Sequence, residues 1–212
     1  LTTLHTRAVF LAALEKETAV KDGKHVYARL NEMIASTPPG AKGLVLLPYL
    51  ASATTPRWNP HARGTLLGLT FAHDRASLAR CFMEGITLEV RDMVNSMAAS
   101  GIPIEQVRIL GGATKSELWN QMQADVYNRP VETLKMTDAA LMGAALCAAA
   151  GIGAFSSLAE GVERMVQVDR KYLPNPQNAK LYDEIFGIYC LAYEALEEKG
   201  VFQALARLQA GY

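Results

Sequence analysis

Apolar residues recur at helical spacing over residues 4–16 and again over 26–35, and the polar run Lys21-Asp22-Gly23-Lys24 separates the two blocks. Ser36-Thr37-Pro38-Pro39-Gly40 stops any regular element. It divides the chain into a helical lead-in, residues 1–40, and a main domain, residues 41–212. Residues 43–48 are almost wholly apolar and end in Pro48, the pattern of a buried strand. A long polar loop, 52–64, carries Pro56, Trp58, Pro60 and Arg63. A second strand is predicted over 65–70. Asp74 is placed to cap a helix that runs to about residue 98, with Leu78, Phe82, Met83, Ile86 and Val90 as its apolar side.

The period then switches regularly. Residues 107–110 read as a buried strand, 116–126 as a helix, 131–134 as a strand and 138–150 as a helix. Such alternation predicts an α/β fold, a sheet covered by helices. Two helices, 178–199 and 201–209, form a tail too rich in Tyr and Phe to be disordered.

Composition narrows the classes of function. Half of the 212 residues are hydrophobic, enough for a substantial core. Basic and acidic residues balance at a net charge of zero, so no electrostatic argument favours nucleic acid. The apolar run 139–150 is too short and Ala-rich to cross a membrane, and no signal peptide is evident. Cys81, Cys147 and Cys190 form no CxxC pair. Cys147 and Cys190 lie in apolar helical stretches and are expected to be buried thiols, which fits a reducing, cytoplasmic setting. His5, His25, His61 and His73 have no tight ligand spacing, so no metal-binding residues are assigned.

The sharpest local feature is Val107-Arg108-Ile109-Leu110-Gly111-Gly112-Ala113-Thr114-Lys115-Ser116. A strand runs into a Gly-Gly turn and a helix follows. Glycines leave no Cβ to obstruct a ligand, the helix start offers free N–H groups, and Lys115 adds a cation. A phosphate or nucleotide suits this arrangement. A tight strand–helix connection capped by Ser116 explains the same residues. The segment is no P-loop, since Lys115 follows Thr114 rather than glycine. Further on, Thr137 or Asp138 can cap a helix on which Ala140, Gly143 and Ala144 share one face. That face admits either a flat ring or a closely packed backbone. In the 52–64 loop, Arg63 can reach an anion or a partner, although a bare surface arginine is the commoner case, and Trp58 serves equally well as a contact or as a buried anchor of the loop.

The order of these segments resembles the C-terminal domain of FGGY-type carbohydrate kinases, and most nearly its xylulokinase branch. The resemblance rests on Gly43 through Leu50, Thr55-Pro56 through Gly64, Gly111 through Val126, Asn128-Arg129-Pro130-Val131, Ala139 through Ala145, and Tyr172-Leu173-Pro174-Asn175-Pro176. It implies a ribonuclease-H-like lobe of the actin, hexokinase and heat-shock ATPase superfold, with a helical C-terminal tail. It implies ATP and Mg²⁺ as cofactors and phosphorylation of xylulose or a related pentose or polyol. Gly112 and Ser116 would contact the nucleotide, Gly111 would shape the turn, and Ala140, Gly143 and Ala144 would back the adenine. Lys115 joins them from charge and position.

The resemblance also places the catalytic aspartate and most sugar contacts in an N-terminal lobe that this chain lacks. No catalytic residue is therefore expected here. The chain, starting at Leu1, is expected to be the C-terminal half of a longer kinase. Members of the family are often dimers. Where the family has Gly-Glu-Arg before its Thr-Pro, this chain has Ser52-Ala53-Thr54, so a charged pair tying the loop is expected to be missing. Two other readings stand beside the kinase: a non-catalytic nucleotide- or partner-binding homologue, and another ATPase of the same superfold.

Overall fold

The computed structural model describes residues 26–136 and 138–211. The predicted helix over 4–16 and the break at 21–24 lie outside them, as does Thr137.

Helix α1 (Val26–Ala35) leads into a short 3-10 turn and strand β1 (Val45–Leu47), which pairs antiparallel with β2 (Thr65–Leu67). Every residue of β1 is buried, as its unbroken apolar run requires. Helix α2 (Arg75–Ala99) begins at Asp74, whose carboxylate accepts the Ser77 N–H and so satisfies one of the free donors of the first turn. Strand β3 (Val107–Ile109) is followed by a 3-10 turn (Gly112–Lys115) and α3 (Glu117–Tyr127), capped by Ser116. Then come β4 (Val131–Leu134), α4 (Ala139–Gly151), α5 (Leu158–Met165), β5 (Val168–Tyr172), α6 (Pro176–Glu198) and α7 (Val201–Gln209).

Strands β3, β4 and β5 form a second sheet in that order, with β3 parallel and β5 antiparallel to β4. Among the described residues strand β3 is therefore an edge. This corrects the expectation that it is buried: Arg108 is exposed and its two neighbours are half-buried. Arg108 and Lys171 flank Glu132 across the sheet, one from each neighbouring strand.

Helices α2, α3 and α6 surround one core. Ile34, Leu47, Tyr49, Leu88, Val126 and Phe202 pack there with Tyr182, Tyr189 and Tyr193, which stand on one side of α6. Tyr49 and Tyr189 share a hydroxyl hydrogen bond of 2.6 Å, so neither buried OH is left unpaired. Beneath them lies a buried polar junction. Glu84 Oε1 accepts from Arg80 Nε at 2.7 Å, Tyr182 OH at 2.7 Å and the Gly40 N–H at 2.9 Å. Arg80 also donates to the carbonyls of Thr37 and Ile34. Burial pushes the Glu84 carboxyl above its ordinary range, and Arg80 and Tyr182 pull against that shift.

In the loop after β1 the charged pair is missing at 52–54, as the sequence requires, yet the loop does not hang free. It is tied, by charges other than those looked for. Arg57 Nε lies 2.7 Å from Asp92 on α2, with its guanidinium 4.5 Å over the Tyr193 ring. Ala53 and Asn59 exchange backbone hydrogen bonds of 3.0 Å, and the Asn59 amide donates to Glu197. Arg63 is spent on Gln209 and on two loop carbonyls. Trp58 anchors nothing, being 73% exposed.

The cysteine expectation is corrected as well. Cys147 is exposed and Cys190 half-buried, and only Cys81 is buried. Helix α4 makes its main contact with α5 alone, and Leu146 is its one buried residue, so apolar sequence around Cys147 did not secure burial. Among the described residues no helix is long and apolar enough to cross a membrane.

Candidate functional site

The parallel pair β3–β4 sets the two connections that follow these strands side by side. One is the Gly-Gly turn after β3. The other is the start of α4 after β4. Between them lies an open cleft of about 460 Å³, lined by Leu110, Gly111, Gly112, Lys115, Asp138, Ala139 and Ala140. Ligand sites commonly span roughly 300–1,000 Å³, so the space is within the range of a small-molecule site.

Local chemistry shapes each wall. Gly111 has φ 90° and ψ −175°, a backbone region in effect closed to residues with a Cβ. A Cβ placed on Gly111 or Gly112 would meet nothing within 4 Å. The glycines therefore do more than allow close packing within the chain, because among the described residues no packed neighbour stands there. The turn itself buries no residue. Thr114 Oγ1 closes it onto the Gly111 carbonyl at 2.7 Å, and Asn120 on α3 grips the Thr114 carbonyl at 2.8 Å.

On the opposite wall, Asp138 caps α4 by accepting the Leu141 N–H at 3.0 Å. The N–H groups of Ala139 and Ala140, in the first turn, have no partner within the helix. Gly143 lies one turn further on, and a Cβ there would also meet nothing within 4 Å. The small-residue face is thus open, and tight helix–sheet packing does not account for it.

Of the residues singled out from sequence, Gly111, Gly112, Lys115 and Ala140 come together in the cleft. Ser116 stands behind it. Its hydroxyl accepts the Trp119 N–H at 3.2 Å and donates to Asn31 Oδ1 at 3.1 Å. Gly143 and Ala144 share the helix but not the cleft lining. Sequence reasoning missed Leu110 and Ala139 as lining, and took Asp138 for a cap alone. It also missed Asn31, whose partner lies 85 residues away.

Asp125 is no candidate base. Both its oxygens are spent on Gln121, the Asn175 N–H and the Asn178 amide, which pins the start of α6 to α3.

Comparison with known proteins decides the family. Residues 3–152 match the model of the C-terminal domain of the FGGY family of carbohydrate kinases. The chain belongs to this family. Xylulose kinase of Staphylococcus epidermidis is 34% identical over 172 residues, covering 81% of this chain and 35% of that protein. Glycerol kinase of Nitratidesulfovibrio vulgaris is 37% identical over 157 residues, covering 74% of this chain and 30% of its own. Among solved structures, xylulose kinase of Rhodospirillum rubrum superposes with a TM-score of 0.75 at 31% identity, over 92% of this chain and 39% of that one. Xylulose kinase of Lactobacillus acidophilus superposes with a TM-score of 0.78 at 26% identity, over 92% of this chain and 38% of that one.

This FGGY chain therefore has the α/β fold of the actin and hexokinase type. It spans about a third of the length of the curated relatives it matches.

Proposed function

We propose that this chain is the nucleotide-binding lobe of an ATP-dependent sugar kinase that acts on xylulose or a related pentose or polyol. The observation that carries the reading is the open Gly111-Gly112 turn facing the first turn of α4 across a cleft of small-molecule size. The cleft has a polarity. Lys115 and the unobstructed glycine backbone favour phosphate oxygens on one side. Asp138 disfavours them on the other, where its carboxylate suits the hydroxyl and amine donors of a nucleoside. The small side chains of Ala139 and Ala140 leave room there for a flat base.

In this reading Mg²⁺ arrives with the phosphates. Bound MgATP supplies the phosphoryl group that a sugar hydroxyl takes up. The residues of this chain hold and orient the nucleotide. The base that accepts the hydroxyl proton belongs to the remaining length of a protein built like the relatives. Xylulose is the favoured sugar because xylulose kinases stand among both the sequence relatives and the structural neighbours. Residues 41–212, with helix α1 packed into their core, form the nucleotide-binding unit, and the cytoplasm, where ATP is held, is its setting.

Calorimetric titration with Mg-ADP tests the reading. The expected dissociation constant is in the tens to hundreds of micromolar, roughly −5 to −6 kcal/mol. Gly112→Asp puts a carboxylate in open space, so the fold tolerates it, yet it repels phosphate and should abolish binding. Equal binding by the parent and Gly112→Asp, or no binding by the parent, overturns the assignment of the cleft.

A further inference from the structure

The turn that lines the cleft is held in an unusual way. It buries no side chain, and nothing packs against its glycines. Its position therefore depends on hydrogen bonds. Most of these are local. The Thr114 N–H and hydroxyl bond to the Gly111 carbonyl, the Ser116 N–H bonds to Ala113, and Asn120 on the following helix bonds to Thr114. Among the described residues, one side chain from a distant element hydrogen-bonds to residues 111–116. It is Asn31 on α1, which accepts the Ser116 hydroxyl proton at 3.1 Å.

Asn31 is well placed to act as a fixed point. Helix α1 packs on α2, and Ile34, three residues on, is 1% exposed in the main core. The hydrogen-bonded backbone of the helix fixes the Cα of Asn31 relative to that core, and its side-chain oxygen is the acceptor. Ser116 follows Lys115 directly, and its hydroxyl is already oriented by the Trp119 N–H. Three groups thus meet at one oxygen: the cap of α3, the end of the turn and the body of α1.

We propose that Asn31 is a positioning residue for nucleotide binding, which through Ser116 holds Lys115 and the Gly111-Gly112 backbone at the cleft. This rests on the nucleotide reading above. Asn31 touches no ligand in this account. It removes freedom that the turn would otherwise lose on binding, and preorganisation of that kind strengthens affinity.

A double-mutant cycle tests it. Asn31→Ala keeps the helix, because Ala is the best helix former. Ser116→Gly removes the hydroxyl at a cap position where glycine is nearly as well tolerated. Mg-ADP affinity is measured by calorimetry for the parent, both single variants and the double variant, with thermal midpoints in parallel. Asn31→Ala should weaken Mg-ADP about 3- to 10-fold, the range of one hydrogen bond. In the Ser116→Gly background the same change should have no effect, since the two residues act as one unit.

Asn31→Ala that lowers the midpoint but leaves the affinity of the folded protein unchanged gives Asn31 a structural role alone and overturns the proposal. An equal loss in both backgrounds overturns it too, because Asn31 then acts by a route other than Ser116. A parent that binds no Mg-ADP overturns the nucleotide reading itself. A parent that binds, with Gly112→Asp losing that binding and Asn31→Ala keeping the parent's affinity, leaves that reading standing and removes this one.

Discussion

Asp74 accepts hydrogen bonds from both the backbone N–H and the hydroxyl of Ser77, and these hold its carboxyl down to about 2. A carboxyl depressed by folding stabilises the protein above its unfolded value, near 4, and that contribution is lost as pH falls through the folded value. The window therefore lies between about pH 4 and pH 2. Urea midpoints of the parent and of Asp74→Ala should differ at pH 5 and converge as the pH drops through that window. A gap that stays constant would show that the carboxylate charge adds nothing to the cap. This cap was readable in the sequence because its chemistry is local: Asp74 and Ser77 are three residues apart. The Gly111-Gly112 turn was readable for the same reason. Asn31 and Arg57 were not, since each acts on a residue far along the chain, and no pattern of types or spacing marks such a pair. Trp58 misled because a large aromatic in a Pro-rich loop suggests an anchor, whereas Arg57 and Asn59 beside it fix the loop.

At the scale of elements, two helical glycines have opposite meanings. On α2, a Cβ at Gly85 would stand 2.8 Å from both Cβ and O of Leu46. The long helix lies that close to β1 only because residue 85 has no side chain. On α6, a Cβ at Gly187 would meet nothing within 4 Å. Gly85→Ala should therefore destabilise by about 1–3 kcal/mol through overpacking. Gly187→Ala should stabilise by about 0.5–1 kcal/mol, as it lowers the freedom of the unfolded chain. Chemical denaturation of the two variants reads both signs, and like signs would refute the packing account. Long elements with a clear period, such as α2 and α6, were legible because one side meets the core. Helix α5 and strand β5 were not. The strand reads Val-Asp-Arg-Lys-Tyr, charged at its centre, and lies at the sheet edge where no alternation is imposed. Helix α5 has eight residues with Gly161 inside, too short for its period to stand out. Helix α4 shows the converse. It is apolar all round, which ordinarily signals burial, yet Leu141 in its first turn is 65% exposed, as is Ile152 just past its end at 85%.

For the whole molecule, this divides stability unevenly. Helices α1, α2, α3 and α6 share one core, while α4 and α5 lean chiefly on each other. Regions with few core contacts open before the rest. Hydrogen exchange over Ala139–Gly151 should therefore run faster than over the centre of Arg75–Ala99, and Mg-ADP should slow it at the start of α4. Uniform protection across both helices would contradict this division. The α4 wall of the cleft then lies outside the shared core.

The junction at Glu84 bears on how such a chain is made. Arg80 and Glu84 leave the ribosome long before Tyr182, which follows Glu84 by 98 residues. At roughly 5–20 residues per second, the wait is about 5–20 s. Throughout it, an ion pair destined for burial lacks its third member and the helix that covers it. The side of Arg80 and Glu84 that Tyr182 covers thus stays uncovered until the last long helix has been made.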